Sequence, residues 1–246
     1  MKKFFRFSLY SLLACLATGT LYLQLSVSGF FQIQQVKVYI ESDNSSRYAS
    51  LSALEKVSQE AEKIRGQDLY RVDFSGMQKM LQQEDWIQSF RISRRWPSQL
   101  EVLIRPQPVY FSILNERGRL LPVIESGKVL EEVSVARAPQ APVTRQIEFI
   151  NNVELRLRTL KILKDIPLHG EFSRKSISEI SHDNSKGFVL TLSENNISVK
   201  LGENQIRQKS LQIAQVMHYL KERQFQARVI DANLSQKVLV RLRKDP

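Results

Sequence analysis

The residues that could do chemistry are few, and their spacing serves none of the common chemistries. Histidines stand at His169, His182 and His218, without the His-x-x-x-His or Cys-rich spacing that a tetrahedral zinc site needs. Three scattered histidines are ordinarily surface or capping residues. The one cysteine, Cys15, lies inside an apolar run, where lipid around the thiol makes it no nucleophile. A single cysteine also closes no disulfide within the chain. Glu131 and Glu132 are adjacent carboxylates, but neighbouring strand residues point to opposite faces, so they form a solvated pair rather than an acid–base couple. Glycine-rich phosphate loops and Gly-x-Ser-x-Gly elbows do not occur. The expectation is a non-enzyme with no catalytic residue, metal, cofactor or small-molecule substrate.

What remains is charge and backbone. Lys and Arg number 36 against 25 Asp and Glu, a net charge of +11. Such a balance suits nucleic acid, anionic headgroups or an acidic partner. The chain has no RNP-type aromatic string, zinc finger or basic heptad stretch, so nucleic acid is not expected. Arg94-Arg95 reads as a solvated strand end, with lipid headgroups as the second reading. Lys237–Arg243, KVLVRLR, is a β-branched-rich strand late in the chain. A strand that ends a sheet offers unpaired N–H and C=O groups to an extended peptide. The plainer reading is a last paired strand, blunted by Lys237, Arg241 and Arg243.

The elements that would carry these residues can be read in order. Residues 1–6 are a basic stub holding Lys2, Lys3 and Arg6. Residues 7–29 are apolar and uncharged, and as a helix they would span roughly 35 Å, enough for a bilayer. The basic stub places the N-terminus in the cytoplasm and the bulk outside, as a single-pass protein. Two alternatives stand beside this anchor: a cleaved signal peptide, and a lipobox at Leu12-Leu13-Ala14-Cys15 with acyl chains on Cys15.

A strand over Phe30–Ile40 comes next, with Val36, Val38 and Ile40 on one face. Helix periodicity covers Leu51–Ile64, closed by Gly66, and then Phe74–Glu84. Asp85–Pro108 alternates with period two in both arms around Trp96-Pro97-Ser98, which predicts a hairpin. The order is β-α-α-β-β, two helices on one face of a three-stranded sheet. Beyond it, Val109–Leu114, Leu120–Ile124 and Lys128–Val133 read as short strands, and Ala136–Thr144 as a loop. A helix is expected over Asn151–Ile166, and three strands over Ile177–His182, Phe188–Leu192 and Ile197–Leu201. A long helix from about Gln205 to Arg223 follows, with Met217 in its core stripe, and then two strands, Arg228–Asp231 and Lys237–Arg243.

Several phrases resemble one family. Trp86-Ile87, Arg94-Arg95-Trp96-Pro97, Leu100 and Pro108-Val109 resemble the last hairpin of a POTRA domain, in particular that of the bacterial cell-division proteins FtsQ and DivIB. Gly66-Gln67-Asp68-Leu69, with Val72-Asp73, resembles the POTRA connector. Ile197, Val199, Leu201, Gly202 and Lys209 resemble the FtsQ β-domain, as does Ile230-Asp231, with Leu234 where the family has tyrosine.

The resemblance implies an α+β protein: an N-terminal transmembrane helix, a POTRA domain over 30–107, and an FtsQ-type β-domain over 108–246. The second domain would be mixed α/β with a largely antiparallel sheet. Trp86, Arg94, Trp96, Pro97 and Leu100 would be structural POTRA residues. The implied function is a bitopic inner-membrane scaffold of the divisome at the septum. Its partner would be a coiled-coil pair of the FtsB/FtsL type, meeting Ile230, Asp231, Leu234, Gln236, Val238 and Val240. The competing classes are a POTRA-containing secretion or assembly adaptor, lipid-anchored at Cys15, and a cell-wall enzyme. A transmembrane barrel would need many more alternating strands than follow Pro108.

Overall fold

Alternating apolar residues make strands here wherever two such runs can cover each other, and Asp85–Pro108 is the clearest case. In the computed structural model the described residues are 2–41, 51–234 and 237–243. Side chains are described outside 2–11, 25–27 and 51–54. The chain divides into two units, one running up to Glu41 and on to Pro106, the other from Gln107.

The first unit opens with helix α1, Lys2–Val27. Its 26 residues rise about 39 Å at 1.5 Å each. Its described leucines, among them Leu12, Leu16 and Leu23, are exposed on all sides. The Thr18 and Thr20 hydroxyls donate back to carbonyls of the preceding turn, so neither leaves a free polar group on the helix. Among the described residues no helix is long and apolar enough to cross a membrane. The side chains of 7–11 and 25–27, part of the expected span, lie outside the description.

Next come β1 (Gln35–Ile40), α2 (Leu51–Glu62), α3 (Ser75–Gln83), β2 (Ile87–Arg95) and β3 (Gln99–Pro106). The sheet order is β1-β3-β2. β3 is therefore central, parallel to β1 and antiparallel to β2. Its Leu100, Val102 and Ile104 are fully buried, together with Val57 and Ala61 of α2 and Met77 and Leu81 of α3. The first strand starts at Gln35 rather than Phe30. Phe31 and Ile33 are buried, but their backbone pairs with the connector instead: Ile33 donates to the Gln67 carbonyl at 2.9 Å, and Leu69 donates to that of Phe31 at 2.8 Å. The Trp96-Pro97 bond in the hairpin turn is cis.

The second unit holds β4 (Val109–Leu114), β5 (Leu120–Ile124), β6 (Val143–Thr144), α4 (Glu148–Asn151), α5 (Val153–Asp165), β7 (Ile177–Asp183), β8 (Gly187–Leu192), β9 (Ser198–Gly202), α6 (Ile206–Glu222), β10 (Ala227–Asp231) and β11 (Leu239–Leu242). One eight-stranded sheet runs β11-β10-β9-β8-β7-β6-β4-β5. Most pairs are antiparallel, while β10/β9, β6/β7 and β4/β6 are parallel. The fold is thus mixed α+β with a large, mostly antiparallel sheet. Phe111, Phe149, Phe188, Leu190, Val199 and Ile213 lie at the centre of its core.

Two expectations are corrected. Lys128–Val133 is no strand: it meets β5 only through bridges at Val129 and Val133. Its buried residues, Leu130 and Val133, are three apart, which a strand's alternation does not allow. Ala136–Thr144 is not all loop, since Val143–Thr144 is inserted between β4 and β7. Two residues after Pro142 are too short for periodicity to reveal. Helix α5 begins two residues later than expected, where the Asn152 side chain accepts from the Leu155 N–H at 2.9 Å and caps it.

Turn chemistry sets the register of β7, β8 and β9. Asp183 accepts from the hydroxyl and N–H of Ser185 and from the Lys186 N–H. These bonds, that of the Ser185 hydroxyl first, bring its carboxyl from 3.8 to about 2. Gly187 follows at φ +69, and a Cβ there would lie 2.8 Å from the Cα of Gly202 on β9.

Two predictions follow from these turns. Gly187→Ala should lower the unfolding free energy read from urea titration by about 3 kcal/mol, because left-handed strain adds to a backbone overlap that cannot relax. Gly118→Ala, at φ +70 with nothing within 4 Å, should cost only about 1 kcal/mol. Equal losses would refute the packing role of Gly187. For Asp183 the folded value lies below the unfolded one, so its stabilisation is complete above 3.8 and is lost as pH falls through about 2. The stability difference between the natural chain and Asp183→Asn should be constant near neutrality and shrink over that acid window. A difference unchanged down to the lowest pH would show that the turn does not hold the carboxylate.

Candidate partner-binding edge

The sheet order leaves β11 at one end of the large sheet, with β10 on one side of it. Register pairs Ile230 with Val240 and Asp231 with Leu239. On the far side of β10, Ile230 meets Val199 and Asp231 meets Lys200. Two rows therefore cross the three strands. In the first, Val199 and Ile230 are fully buried, and Val240, with Val238 nearby, packs half-buried against the core. In the second, Lys200 Nζ lies 3.1 Å from Asp231 Oδ2, and Leu239 stands 53% exposed beside them. Leu242 and Leu234 are also exposed. Of the residues named from the sequence, Ile230 is core, Asp231 is held in an ion pair, and Leu234, Val238 and Val240 reach the edge. Gln236 lies outside the described residues.

The backbone of β11 has a defined outward side. Arg243 donates its N–H to the Gln226 carbonyl at 2.7 Å. Antiparallel alternation then turns the groups of 239, 241 and 243 toward β10, and those of 238, 240 and 242 away from it. The opposite end of the sheet is covered. The residue 129–133 segment lies along β5, with Leu120 and Val133 exchanging N–H to carbonyl bonds at 3.0 and 2.8 Å. In the smaller sheet β2 is also an edge, and it carries exposed Arg91, Arg94 and Arg95, a charge pattern that discourages pairing.

The approach to β11 is clamped. Ala232 is fully buried, and its N–H donates to the Lys200 carbonyl at 2.9 Å. The Asn233 side chain lies against Gly202, at φ +71, so closely that a Cβ there would overlap it. Asn233 also donates its N–H to Asp231 Oδ1 at 3.1 Å and its side-chain amide to the Lys186 carbonyl at 3.4 Å. From α6 the buried Lys209 reaches across and donates to the Leu201 carbonyl at 2.8 Å. Burial pushes this ammonium below the usual lysine value, and the Asp231 carboxylate opposes that shift. Sequence reading had Gly202 and Lys209 only as family markers. It missed Asn233 and the outward Leu239, because alternation does not say which face of a strand the core takes.

The other chemistry-bearing residues form closed contacts. His182 Nε2 lies 2.9 Å from Glu203 Oε1, which also pairs with Arg158. The His182 hydrogen bond first, then the charge of Arg158, holds the Glu203 carboxyl below its usual range. His218 faces Glu171 and Glu222 on the surface. Among the described residues no cluster of His, Cys, Asp and Glu could hold a metal ion. In the smaller unit Leu100 and Trp86 are buried, and Arg94 Nε donates to the Leu69 carbonyl at 2.7 Å. Trp96, beside Pro97, lies outside the core at 70% exposure.

Residues 111–233, half of the chain, match the family model described as Cell division protein FtsQ/DivIB, C-terminal. Two curated relatives named Cell division protein FtsQ are similar to the chain. That of Syntrophotalea carbinolica is 21% identical over 93% of this chain and 79% of its own length. That of Geobacter sp. (strain M21) is 22% identical over 72% of this chain and 66% of its own length. The match lies over the large sheet from β4 to β10 and the clamp before β11, and by it the chain belongs to the FtsQ/DivIB family of cell-division proteins.

Proposed function

We propose that this cell-division protein is a membrane-anchored, non-enzymatic scaffold that takes an extended segment of another division protein along β11. The observation that carries this reading is the asymmetry of the large sheet: β5 is covered by its own chain, while β11 ends the sheet with outward backbone groups and exposed Leu239 and Leu242. A partner strand would gain main-chain hydrogen bonds from 238, 240 and 242, and apolar contact from the leucines. From the family resemblance, the partner is the coiled-coil pair of the FtsB/FtsL type. Leucine at position 234 alters the side-chain part of that contact but leaves backbone pairing intact.

The anchor is α1, whose described leucines are exposed on all sides and whose Thr18 and Thr20 hydroxyls bond back to the helix, features that suit a helix in lipid. Residues 30–107 act as the POTRA domain and 108–246 as the β-domain, placed outside the cytoplasmic membrane at the septum.

Val240→Pro removes an outward donor and no bond to β10, so it should cut capture of the purified partner pair at least about tenfold while leaving the melting temperature within a few degrees. Leu239→Asp should weaken capture by a similar factor without touching the backbone. Full-strength binding by both folded variants would reject β11 as the edge. In the host, depletion should give smooth filaments, and a fluorescent fusion ahead of Met1 should mark mid-cell. Normal division with label spread around the envelope would reject the septal scaffold.

A further inference from the structure

Five aromatic rings gather where α1 runs into the first sheet, and the core absorbs only one of them. Phe31 is buried at their centre, with ring centroids 5.2 Å from Phe30, 5.7 Å from Tyr70 and 5.8 Å from Tyr22. Phe30 in turn packs edge-on against Trp96 at 5.7 Å. The outer rings stay open to solvent: Tyr22 is 41% exposed, Tyr70 50% and Trp96 70%. Single exposed aromatics are ordinary, but a contiguous group of them marks a surface made to be covered.

We infer that this aromatic surface rests in the headgroup layer of the membrane that holds α1, an inference that depends on the anchor proposed above. Chain continuity says what covers it. Phe30 follows Val27, the last residue of α1, by three positions, and so lies within about 10 Å of the helix end. The link is turned tightly, with Ser28 donating to the Gln24 carbonyl and Gln32 to that of Gly29, both at 3.0 Å. Wherever α1 leaves the bilayer, these rings are at its boundary.

Residue type agrees. Tryptophan and tyrosine have an apolar body and a polar tip, and they gather at the level of lipid headgroups. Charge agrees as well. Arg71 follows Tyr70 and is exposed, and Arg95 precedes Trp96. Guanidinium groups bind phosphate well. Of the nearby carboxylates, Glu101 is paired with Arg95 at 2.8 Å, and Asp68 is turned to its own backbone, accepting the N–H groups of Tyr70 and Arg71. The surface therefore joins the hairpin tip to the membrane, and fixes the small sheet close to the bilayer instead of leaving it on a free tether.

The test uses the full chain in vesicles of phosphatidylethanolamine with a minority of phosphatidylglycerol. The chain has two tryptophans, and Trp86 is buried. In Trp86→Phe, emission comes from Trp96 alone. It should be blue-shifted, and lipids brominated high in the acyl chain should quench it by more than about half, with less quenching from bromines at the chain end. If Trp86→Phe does not fold, the natural chain is compared with Trp96→Phe, which should lose the quenching. Unquenched Trp96 in protein that resists alkaline carbonate extraction would overturn the surface and leave the anchor standing. Protein that alkaline carbonate strips from the vesicles would overturn both.

Discussion

The rule that backbone N–H and C=O groups must be paired or face water governs this structure more than any side chain does. It explains why a segment with no regular strand pattern, residues 129–133, lies along β5 and donates to it. It explains the two residues of β6, which would be unremarkable alone yet join β4 to β7 and let one sheet run through the whole second unit. Among the described residues no segment pairs with the outer side of β11. An edge of that kind, with leucines beside it, could take hydrogen bonds from another strand without displacing any.

Buried charge is used as a fastener around this sheet. Arg156 is almost wholly buried in α5, and it donates to the carbonyls of Gly127, Phe149 and Ile150 at 2.6–2.7 Å. Lys209 does the same from α6 toward Leu201. Each closes carbonyls at the end of an element that would otherwise be left without donors, and each would be costly to remove because those carbonyls would then be orphaned. The Lys209 contact sits next to Gly202 and Asn233, so the chain is held at Ala232 and Asn233, just past β10.

Much of the fold is legible from the residues alone, and the reasons differ by element. The Asp85–Pro108 hairpin is legible because both arms keep period two and a proline stands between them. The stripe of α5 is legible because Leu155, Thr159, Ile162, Leu163 and Ile166 repeat at helix spacing, and all five are buried. Pairing across long distances is not legible: nothing local says that β1 runs parallel to β3, or that β10 runs parallel to β9. The face of a strand is also hidden. In KVLVRLR the valines turn toward the core and Leu239 away from it, and only the register with Asp231 and Lys200 decides that. The burial of Arg156 is not legible either, since a helix pattern counts it polar and its burial depends on carbonyls supplied by two other segments.

Trp96, named from the sequence as a structural motif residue, stands 70% exposed. Leu100, and Trp86 at the other end of the hairpin, are buried, whereas Trp96 projects from the hairpin tip onto Phe30. Leaving so large an apolar side chain in water forgoes roughly 2 kcal/mol of burial. That cost is offset if something covers the ring once the chain is in place. The link from α1 is too short to carry the hairpin tip far from the helix end, so the cover and the anchor are the same question. If α1 lies in lipid, the tip of the first sheet is held at the lipid surface by geometry before any specific contact forms, and tryptophan there is favourable rather than tolerated.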